Sequence, residues 1–229
     1  MRYWLVMPAA GTGTRFGDPL PKQYAPLAGR TVIEWALAPF TGDARCAGIA
    51  LAICAEDRNW AGIAGRLPAV TVARGGAERS ESVRSALAAL GRRAQAQDWV
   101  TVHDAARPCL SFEDRDRLIE TAGTHAVGAI AAVPAADTLK RAGQDGTVQE
   151  TVDRNALWRA LTPQMFRYGP LCEALDEALA ARRFPTDEAQ AMEWRGHRPL
   201  LVACSPVNIK ITRAEDLLLA SAVLKARHP

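Results

Sequence analysis

Short apolar runs rich in β-branched and aromatic residues recur along the chain, separated by segments with helical spacing. The runs lie at residues 3–7, 49–54, 70–73, 99–102, 127–133 and 200–204. Between them, apolar pairs such as Ile33 and Leu37, or Val83 and Leu87, predict amphipathic helices. This alternation predicts an α/β fold in a single domain over residues 1–229, with a mostly parallel central sheet flanked by helices.

Two segments carry signals for the start of a helix. Ser111 precedes Asp114 by three residues, and Thr212 precedes Glu215 in the same way. The second pair matches a capping box, and it predicts a last helix that opens at Thr212 and runs to about residue 224.

One polar segment breaks the alternation of strands and helices. Residues 138–152 predict two strands around an Asp145-Gly146 turn, within an arm of about residues 134–155. The segment is too polar for the core, and an isolated hairpin is marginal in water. We therefore expect it to project and to exchange with the arm of a second copy of the chain. The alternative is a surface hairpin that folds onto its own domain.

Composition and charge narrow the classes of function. With 48% hydrophobic residues in 229, the chain can bury a full core, and its net charge of +3 is spread without a basic block. Nucleic acid is therefore not an expected partner. The five cysteines form no Cys-x-x-Cys pair, which indicates buried thiols in a reducing compartment. The first apolar run is short and ends at Pro8, and no later run could span a membrane, so we expect a cytoplasmic protein.

A glycine-rich loop follows the first predicted strand. Gly11-Thr-Gly13-Thr-Arg15 lacks the spacing of a dinucleotide fingerprint or a P-loop, and Pro19 and Pro21 oppose the helix that a fingerprint needs. What fits is a turn whose amides approach phosphate oxygens, with Arg15 and Lys22 as nearby cations. A plain turn with two solvated cations is the alternative.

Two later segments place polar groups after predicted strands. Gly76, Arg79 and Ser82 lie where a strand passes into a helix, which suits base and phosphate recognition, although Ser82 also fits a simple first-turn residue. Asp104 follows the strand at 99–102 and is a candidate ligand for Mg²⁺, with a cap as the alternative. His103 suits a buried, hydrogen-bonded role. Arg107 suits either an ion pair with Asp104 or a contact with substrate.

The string of residues 8–24, Pro-Ala-Ala-Gly-x-Gly-x-Arg with a Pro-Lys-Gln-Tyr ending, resembles the signature of sugar and polyol nucleotidyltransferases. Within that group it resembles the 2-C-methyl-D-erythritol 4-phosphate cytidylyltransferases of the non-mevalonate isoprenoid pathway. Matching motifs follow in order at 75–82, 103–108, 137–140, 154, 162–164, 186–189 and 208–212. The resemblance implies a Rossmann-like nucleotidyltransferase domain, CTP and 2-C-methyl-D-erythritol 4-phosphate as substrates, and Mg²⁺ or another divalent cation as cofactor.

The resemblance also implies roles for individual residues. Nucleotide binding is expected at Ala9, Ala10, Gly11, Thr12, Gly13, Gly76, Arg79, Ser82, Asp104 and Ala106. Acceptor binding is expected at Arg107, Thr138, Arg154, Thr162, Thr186 and Lys210, and catalysis at Arg15, Lys22, Arg154 and Lys210. Thr138 and Arg154, at the feet of the arm, would lie in the partner's pocket of a homodimer. Thr162 and Thr186 also fit caps or turns, and Lys210, on a predicted strand, also fits an outward-facing lysine.

The chemistry of the substrates suggests a mechanism. A phosphate monoester is largely a dianion at neutral pH, so the acceptor needs no general base to attack the α-phosphorus of CTP. The task is to bring two anions together, and the four catalytic cations and a metal would oppose their repulsion. Two alternatives are ribitol 5-phosphate as the acceptor and a non-catalytic nucleotide-binding regulator. Because the chain ends after the last helix, we expect the form without a fused cyclase domain.

Overall fold

The computed structural model describes residues 1–11, 16 and 20–227. Within them the strands, numbered in chain order, are β1 (Tyr3–Pro8), β2 (Pro26–Leu27), β3 (Arg30–Thr31), β4 (Cys46–Ile53), β5 (Val70–Arg74), β6 (Trp99–Val102), β7 (Gly128–Pro134), β8 (Leu139–Ala142), β9 (Val148–Val152), β10 (Trp158–Arg167) and β11 (Leu200–Ala203). The α-helices are α1 (Val32–Thr41), α2 (Trp60–Ala64), α3 (Arg79–Leu90), α4 (Phe112–Gly123), α5 (Tyr168–Ala180), α6 (Glu188–Trp194) and α7 (Asp216–Arg227).

Across the described residues one large sheet forms the centre, in the strand order β11-β7-β10-β6-β1-β4-β5. Strand β1 pairs in parallel with β4 and β6, and β7 pairs in parallel with β11. Only β10 runs antiparallel to its neighbours in this sheet, β6 and β7. The predicted mostly parallel α/β sheet is confirmed.

Strand β10 is the strand of the large sheet that the hydrophobic pattern did not predict. It contains Pro163, which has no amide hydrogen for a sheet ladder. Its pairing with β7 shifts register between Ala160 and Gln164, so the proline lies at the irregularity where the ladder is interrupted. The proline and the interrupted alternation of buried and exposed positions explain why the search for alternating hydrophobic residues did not find this strand.

Both faces of the sheet are covered. Along β1, Leu5 and Met7 pack with α1 and α4 on one face, whereas Val6 packs with α3 and α5 on the other. This alternation follows from the period of two along a strand. Because both faces are buried, ligands can reach the strands only from their ends and from the loops that follow them.

The predicted hairpin is present. Strands β8 and β9 pair antiparallel, and Gly146 adopts a positive φ of 79° in the turn. The β8 residues are all exposed, and Val148 on β9 is 65% exposed. In the single chain, then, every residue of the two strands except Val152 is exposed.

Two local predictions near the C-terminus are wrong. The last helix begins at Asp216, because the Asp216 carboxylate accepts hydrogen bonds from the amides of Thr212 (2.7 Å) and Arg213 (2.8 Å) and holds the intervening residues in a turn. Lys210 lies in a segment without regular secondary structure, rather than on a strand. By contrast, Ser111 caps α4 as predicted, with its Oγ accepting from the Asp114 amide at 3.1 Å.

The five cysteines are free thiols; Cys109 and Cys204 are buried, and the other three are half-buried. None of the helices within the described residues combines the length and apolar character that a membrane span requires.

Candidate active site

Three loops meet at one edge of the sheet. The loops after β1, β5 and β6 follow strands that run in parallel, so they leave the sheet at the same edge. They enclose a cavity of about 450 Å³, a size typical of small-molecule sites. Ten of the predicted residues line it, namely Ala9, Ala10, Gly11, Lys22, Gly76, Arg79, Ser82, Asp104, Ala106 and Lys210.

Gln23 supports the first loop from behind. Its buried side-chain amide donates to the carbonyl of Ala9 at 2.8 Å and to that of Gly11 at 3.4 Å. The Ala9 amide in turn donates to the Ala52 carbonyl of β4 at 2.7 Å. The adjacent Lys22 lines the cavity, so the Pro-Lys-Gln-Tyr segment both anchors the loop and supplies a cation. Sequence reasoning used this segment as a motif but gave Gln23 no role.

The loop after β5 approaches the first loop so closely that it needs glycine. A Cβ on Gly75 would lie 2.2 Å from the Cβ of Ala10, which is less than any real contact. The Gly76 amide donates to Ser82 Oγ at 3.1 Å, and Ser82 Oγ donates to the Glu78 carbonyl at 3.3 Å. Ser82 therefore closes the turn at the start of α3 while it lines the cavity.

Asp104 is the centre of the charged groups in the cavity. Its Oδ1 accepts from Arg79 Nε at 2.9 Å, and its Oδ2 lies 2.9 Å from Lys210 Nζ and 3.7 Å from Arg107 Nε. Lys210 reaches this position because the amide of Ile211 donates to the Ala106 carbonyl at 2.8 Å. One carboxylate thus faces three cations. The distance between Arg107 and Asp104 supports the predicted ion pair of these two residues.

The surroundings set the charge states of these groups. Burial alone would raise the pKa of Asp104, but Arg79, Lys210 and Arg107 more than offset it and hold that pKa well below its usual range. Burial lowers the pKa of Arg107, and burial lowers the pKa of His103 to about 4. At neutral pH the site therefore holds an ionised Asp104 and a neutral imidazole.

A buried chain of hydrogen bonds holds Asp104 from below. The Asp104 amide donates to Thr162 Oγ1 at 3.0 Å, and Thr162 Oγ1 lies 3.1 Å from His103 Nδ1. His103 Nε2 lies 3.1 Å from the Arg107 carbonyl, which can only accept, so Nε2 carries the proton and Nδ1 accepts from Thr162. The predicted buried role of His103 is confirmed. Thr162 is 3% exposed and contacts protein groups here; its contact with acceptor stays a prediction.

Asn208 connects the segment that carries Lys210 to Thr162 and Arg107. Its side-chain amide donates to the Thr162 carbonyl at 2.8 Å, and its main-chain carbonyl accepts from Arg107 Nη1 at 2.8 Å. Residue 208 is 101 positions from residue 107 along the chain, so no local pattern indicated this link.

Glu188 is an acidic residue of the site that sequence reasoning missed. Its carboxylate is 1% exposed and accepts from Arg79 at 2.6 Å and 3.1 Å. Gln164 sets the start of α6, since it donates to Asp187 Oδ2 at 2.9 Å and accepts from the Ala189 amide at 2.9 Å. Burial raises the pKa of Glu188, and the Arg79 guanidinium limits that rise. The Thr-Asp-Glu motif at 186–188 was the available signal, but only Thr186 was considered.

Several predicted residues lie away from the cavity or outside the described residues. Thr138, Arg154 and Thr186 are exposed and do not line it in the single chain. Arg154 donates from Nη1 to the Ala136 carbonyl across the foot of the arm. Thr12, Gly13 and Arg15 lie outside the described residues.

Comparisons with known proteins agree along nearly the whole chain. The model of the family described as IspD, 2-C-methyl-D-erythritol 4-phosphate cytidylyltransferase, matches residues 3–226. The enzyme of that name from Acidithiobacillus ferrooxidans (strain ATCC 53993 / BNL-5-31) is 50% identical over 232 residues, covering 99% of this chain and 98% of the relative. That from Pseudomonas aeruginosa (strain UCBPP-PA14) is 50% identical over 94% of this chain and 93% of its own.

Solved structures agree as well. A crystal structure of a 4-diphosphocytidyl-2C-methyl-D-erythritol synthase superposes with a TM-score of 0.85 at 38% identity, covering 97% of this chain and 99% of the other. The Francisella tularensis enzyme gives 0.82 at 34% identity, over 97% of this chain and 100% of its own. The sequence match, the superposition and the cavity at the strand ends place the chain in one family of nucleotidyltransferases. This protein belongs to the 2-C-methyl-D-erythritol 4-phosphate cytidylyltransferase family.

Proposed function

We propose that the protein transfers the cytidylyl group of CTP to 2-C-methyl-D-erythritol 4-phosphate, releasing pyrophosphate and forming 4-diphosphocytidyl-2-C-methyl-D-erythritol. The observation that carries the proposal is the convergence of two glycine-rich loops with Lys22, Lys210 and Asp104 around one cavity in a member of this family. Backbone amides and cations are what a triphosphate requires, and the cavity brings both together.

The reaction is an in-line attack of the acceptor phosphate on the α-phosphorus of CTP. The attacking group is already a dianion at neutral pH, so no side chain has to remove a proton from it. His103 is buried behind Asp104, with both ring nitrogens engaged in hydrogen bonds within the protein. Catalysis then rests on positioning and on charge stabilisation.

The cations have separate tasks in this mechanism. Lys22, together with Arg15, stabilises charge on the α-phosphate and on the departing pyrophosphate. Lys210 and Arg154 hold the attacking phosphate. Lys210 is held 2.9 Å from Asp104 and its side chain is 41% exposed, so its ammonium group can turn from the carboxylate toward an incoming phosphate.

The donor set at Asp104 fits Mg²⁺ or another divalent cation. Mg²⁺ is commonly held by one or two carboxylates and completes its coordination with phosphate oxygens and water. Within the described residues, no group of three or more acidic, histidine or cysteine side chains could hold a metal ion. Asp104 would therefore share the metal with oxygens of the triphosphate. When bound, the metal would neutralise part of the charge on the triphosphate oxygens.

The acceptor pocket is proposed to be completed by a second copy of the chain. Thr138 and Arg154 are exposed at the feet of a hairpin that its own chain leaves uncovered. Exchange of the arms in a homodimer would cover the hairpin and carry both residues to the partner's cavity, where Thr162 and Thr186 are the other candidate contacts for the acceptor.

The function is tested by measuring pyrophosphate release with Mg²⁺ for CTP, UTP, GTP and ATP, each with 2-C-methyl-D-erythritol 4-phosphate or ribitol 5-phosphate. We expect release only with CTP and the methylerythritol phosphate. Release with ribitol 5-phosphate in its place would assign a different acceptor. No release with any pair would exclude the enzymatic function.

The shared site is tested by mixing two inactive variants, Lys22→Ala and Arg154→Ala, under conditions that allow subunits to exchange. A mixed dimer would hold one cavity with both wild-type side chains, so mixing restores activity if Lys22 and Arg154 come from different chains. If they act within one chain, every cavity lacks one of them and the mixture stays inactive.

A further inference from the structure

The side chain of Arg79 is shared between two buried carboxylates. It donates to Asp104 at 2.9 Å on the side of the cavity and to both oxygens of Glu188, at 2.6 Å and 3.1 Å, on the side of α6. Glu188 does not line the cavity, and with 1% exposure it cannot contact a ligand there. Among the described residues, Arg79 is the one ionic partner of the Glu188 carboxylate, and Arg79 also contacts Asp104.

We infer that Glu188 is a positioning residue for metal loading: it holds the Arg79 guanidinium from behind, so that Asp104 can exchange its contact with Arg79 for a divalent cation. This inference rests on the proposed function and deepens it. It assigns a task to Glu188, the residue of the Thr-Asp-Glu motif that the sequence analysis did not consider.

The reason is electrostatic. A divalent cation at Asp104 repels Arg79, and the guanidinium, buried except for about a quarter of its side chain, needs another anion to remain charged inside the protein. Glu188 supplies that anion at a position which the metal does not reach. Without its charge, Arg79 would depend on Asp104 alone, and a metal would have to displace the only carboxylate partner of a largely buried cation.

The geometry makes the arrangement rigid on the Glu188 side. The bidentate pairing fixes the plane of the guanidinium, and Gln164 fixes the start of α6 through Asp187 and Ala189. Asp104 is held independently, through its backbone amide and Thr162. Arg79 can therefore weaken its contact with Asp104 while neither carboxylate moves.

A matched control exists on the same helix. Arg84 of α3 makes a bidentate pair with Asp176 of α5, at 2.6 Å and 3.0 Å, and Asp176 does not line the cavity. Asp176→Asn removes the carboxylate charge from an arginine pair on α3, as Glu188→Gln does, but at a place with no link to Asp104.

The experiment compares wild type, Glu188→Gln, Glu188→Asp and Asp176→Asn. For each, calorimetry gives the affinity for CTP in Mg²⁺ and in EDTA without acceptor, so that no turnover occurs, and thermal unfolding gives the stability. Wild-type activity toward the proposed substrates is measured in parallel, together with its Mg²⁺ dependence. The ratio of the CTP affinity in Mg²⁺ to the CTP affinity in EDTA reports the coupling between nucleotide and metal.

In Glu188→Gln we expect this ratio to fall about tenfold, since a charge-assisted contact of Arg79 is lost. The concentration of Mg²⁺ that half-activates the enzyme should rise correspondingly. CTP affinity in EDTA should stay within about twofold of wild type. Glu188→Asp, which keeps the charge on a shorter side chain, should recover part of the ratio, and Asp176→Asn should equal wild type.

If Glu188 only stabilises the fold, Glu188→Gln unfolds at a lower temperature but keeps the wild-type ratio, and the inference is wrong. If Glu188→Gln does not fold, Glu188→Asp decides: a wild-type ratio overturns the inference and a smaller fall in the ratio supports it. A wild type that binds CTP but forms no product contradicts the proposed function, whereas an active wild type with an unchanged Glu188→Gln ratio contradicts this inference alone.

Discussion

The substitution Thr162→Val tests whether Thr162 acts mainly on the acceptor or on Asp104. Valine keeps the branched shape but removes the hydroxyl, which accepts from the Asp104 amide at 3.0 Å and donates to His103 Nδ1 at 3.1 Å. Both partners are buried, and water does not replace the lost contacts. Each buried group left without a partner costs about 1–3 kcal/mol, so we expect a loss of about 3 kcal/mol for the two.

The assay is thermal unfolding together with steady-state kinetics. For a chain of this size, about 3 kcal/mol lowers the Tm by about 6–12 °C. The matched variant Thr162→Ser keeps the hydroxyl and loses one methyl group, so it should cost only about 1 kcal/mol. Because Asp104 is no longer held through its amide, Thr162→Val should also lower kcat about tenfold, whereas Thr162→Ser should stay near wild type.

The opposite pattern would refute the reasoning. If Thr162 served only to bind the acceptor, Thr162→Val would raise KM for 2-C-methyl-D-erythritol 4-phosphate and leave the Tm within about 2 °C of wild type, a shift below 1 kcal/mol. Such a result would show that the hydrogen bonds to Asp104 and His103 contribute little, and that the hydroxyl turns toward the ligand.

Three further predictions follow from the same contacts. Lys22→Ala should lower kcat by about 10²–10³-fold while the protein stays folded, since we propose that Lys22 stabilises charge at the reacting phosphates. Lys225→Ala, at an exposed position on α7, is the control, and near-normal turnover of Lys22→Ala would exclude the assignment. Gln23→Leu should cost about 1–3 kcal/mol in stability and raise KM for CTP, because the carbonyl of Ala9 loses its donor; wild-type values for both would contradict the anchoring role. The pKa of His103 falls to about 4 in the folded protein, against about 6.5 unfolded, so this residue contributes about 3 kcal/mol of stability above pH 6.5 that is lost as the pH falls toward 4. Urea unfolding across this pH range should show the loss of stability, and His103→Gln should reduce the dependence of stability on pH. An equal pH dependence in both proteins would contradict the lowered pKa of His103.

Local patterns predicted the elements that depend on local signals. The four apolar residues 99–102 form β6 with the predicted limits, and Ser111 caps α4 through the residue three positions on. The turn at Asp145-Gly146 forms because glycine tolerates its positive φ. Each of these features needs information from only a few neighbouring residues.

The failures share a different cause. Strand β10 contains a proline and a register shift, so only its two neighbours in the sheet identify it as a strand. The start of α7 depends on which of two acidic residues, Glu215 or Asp216, caps the preceding amides, and Asp216 does so. In both cases contacts in the folded chain, and not the local pattern, decided the outcome.

Sequence alone determined the family, the strand-end loops and most of the residues around the cavity, because the motifs that line the cavity are short and contiguous. Only the tertiary structure decided how those residues support one another. Arg79 meets Glu188 across 109 positions, and Asp104 meets Thr162 across 58. A buried charge needs a partner in space, and nothing along the chain encodes which of many carboxylates will be the neighbour.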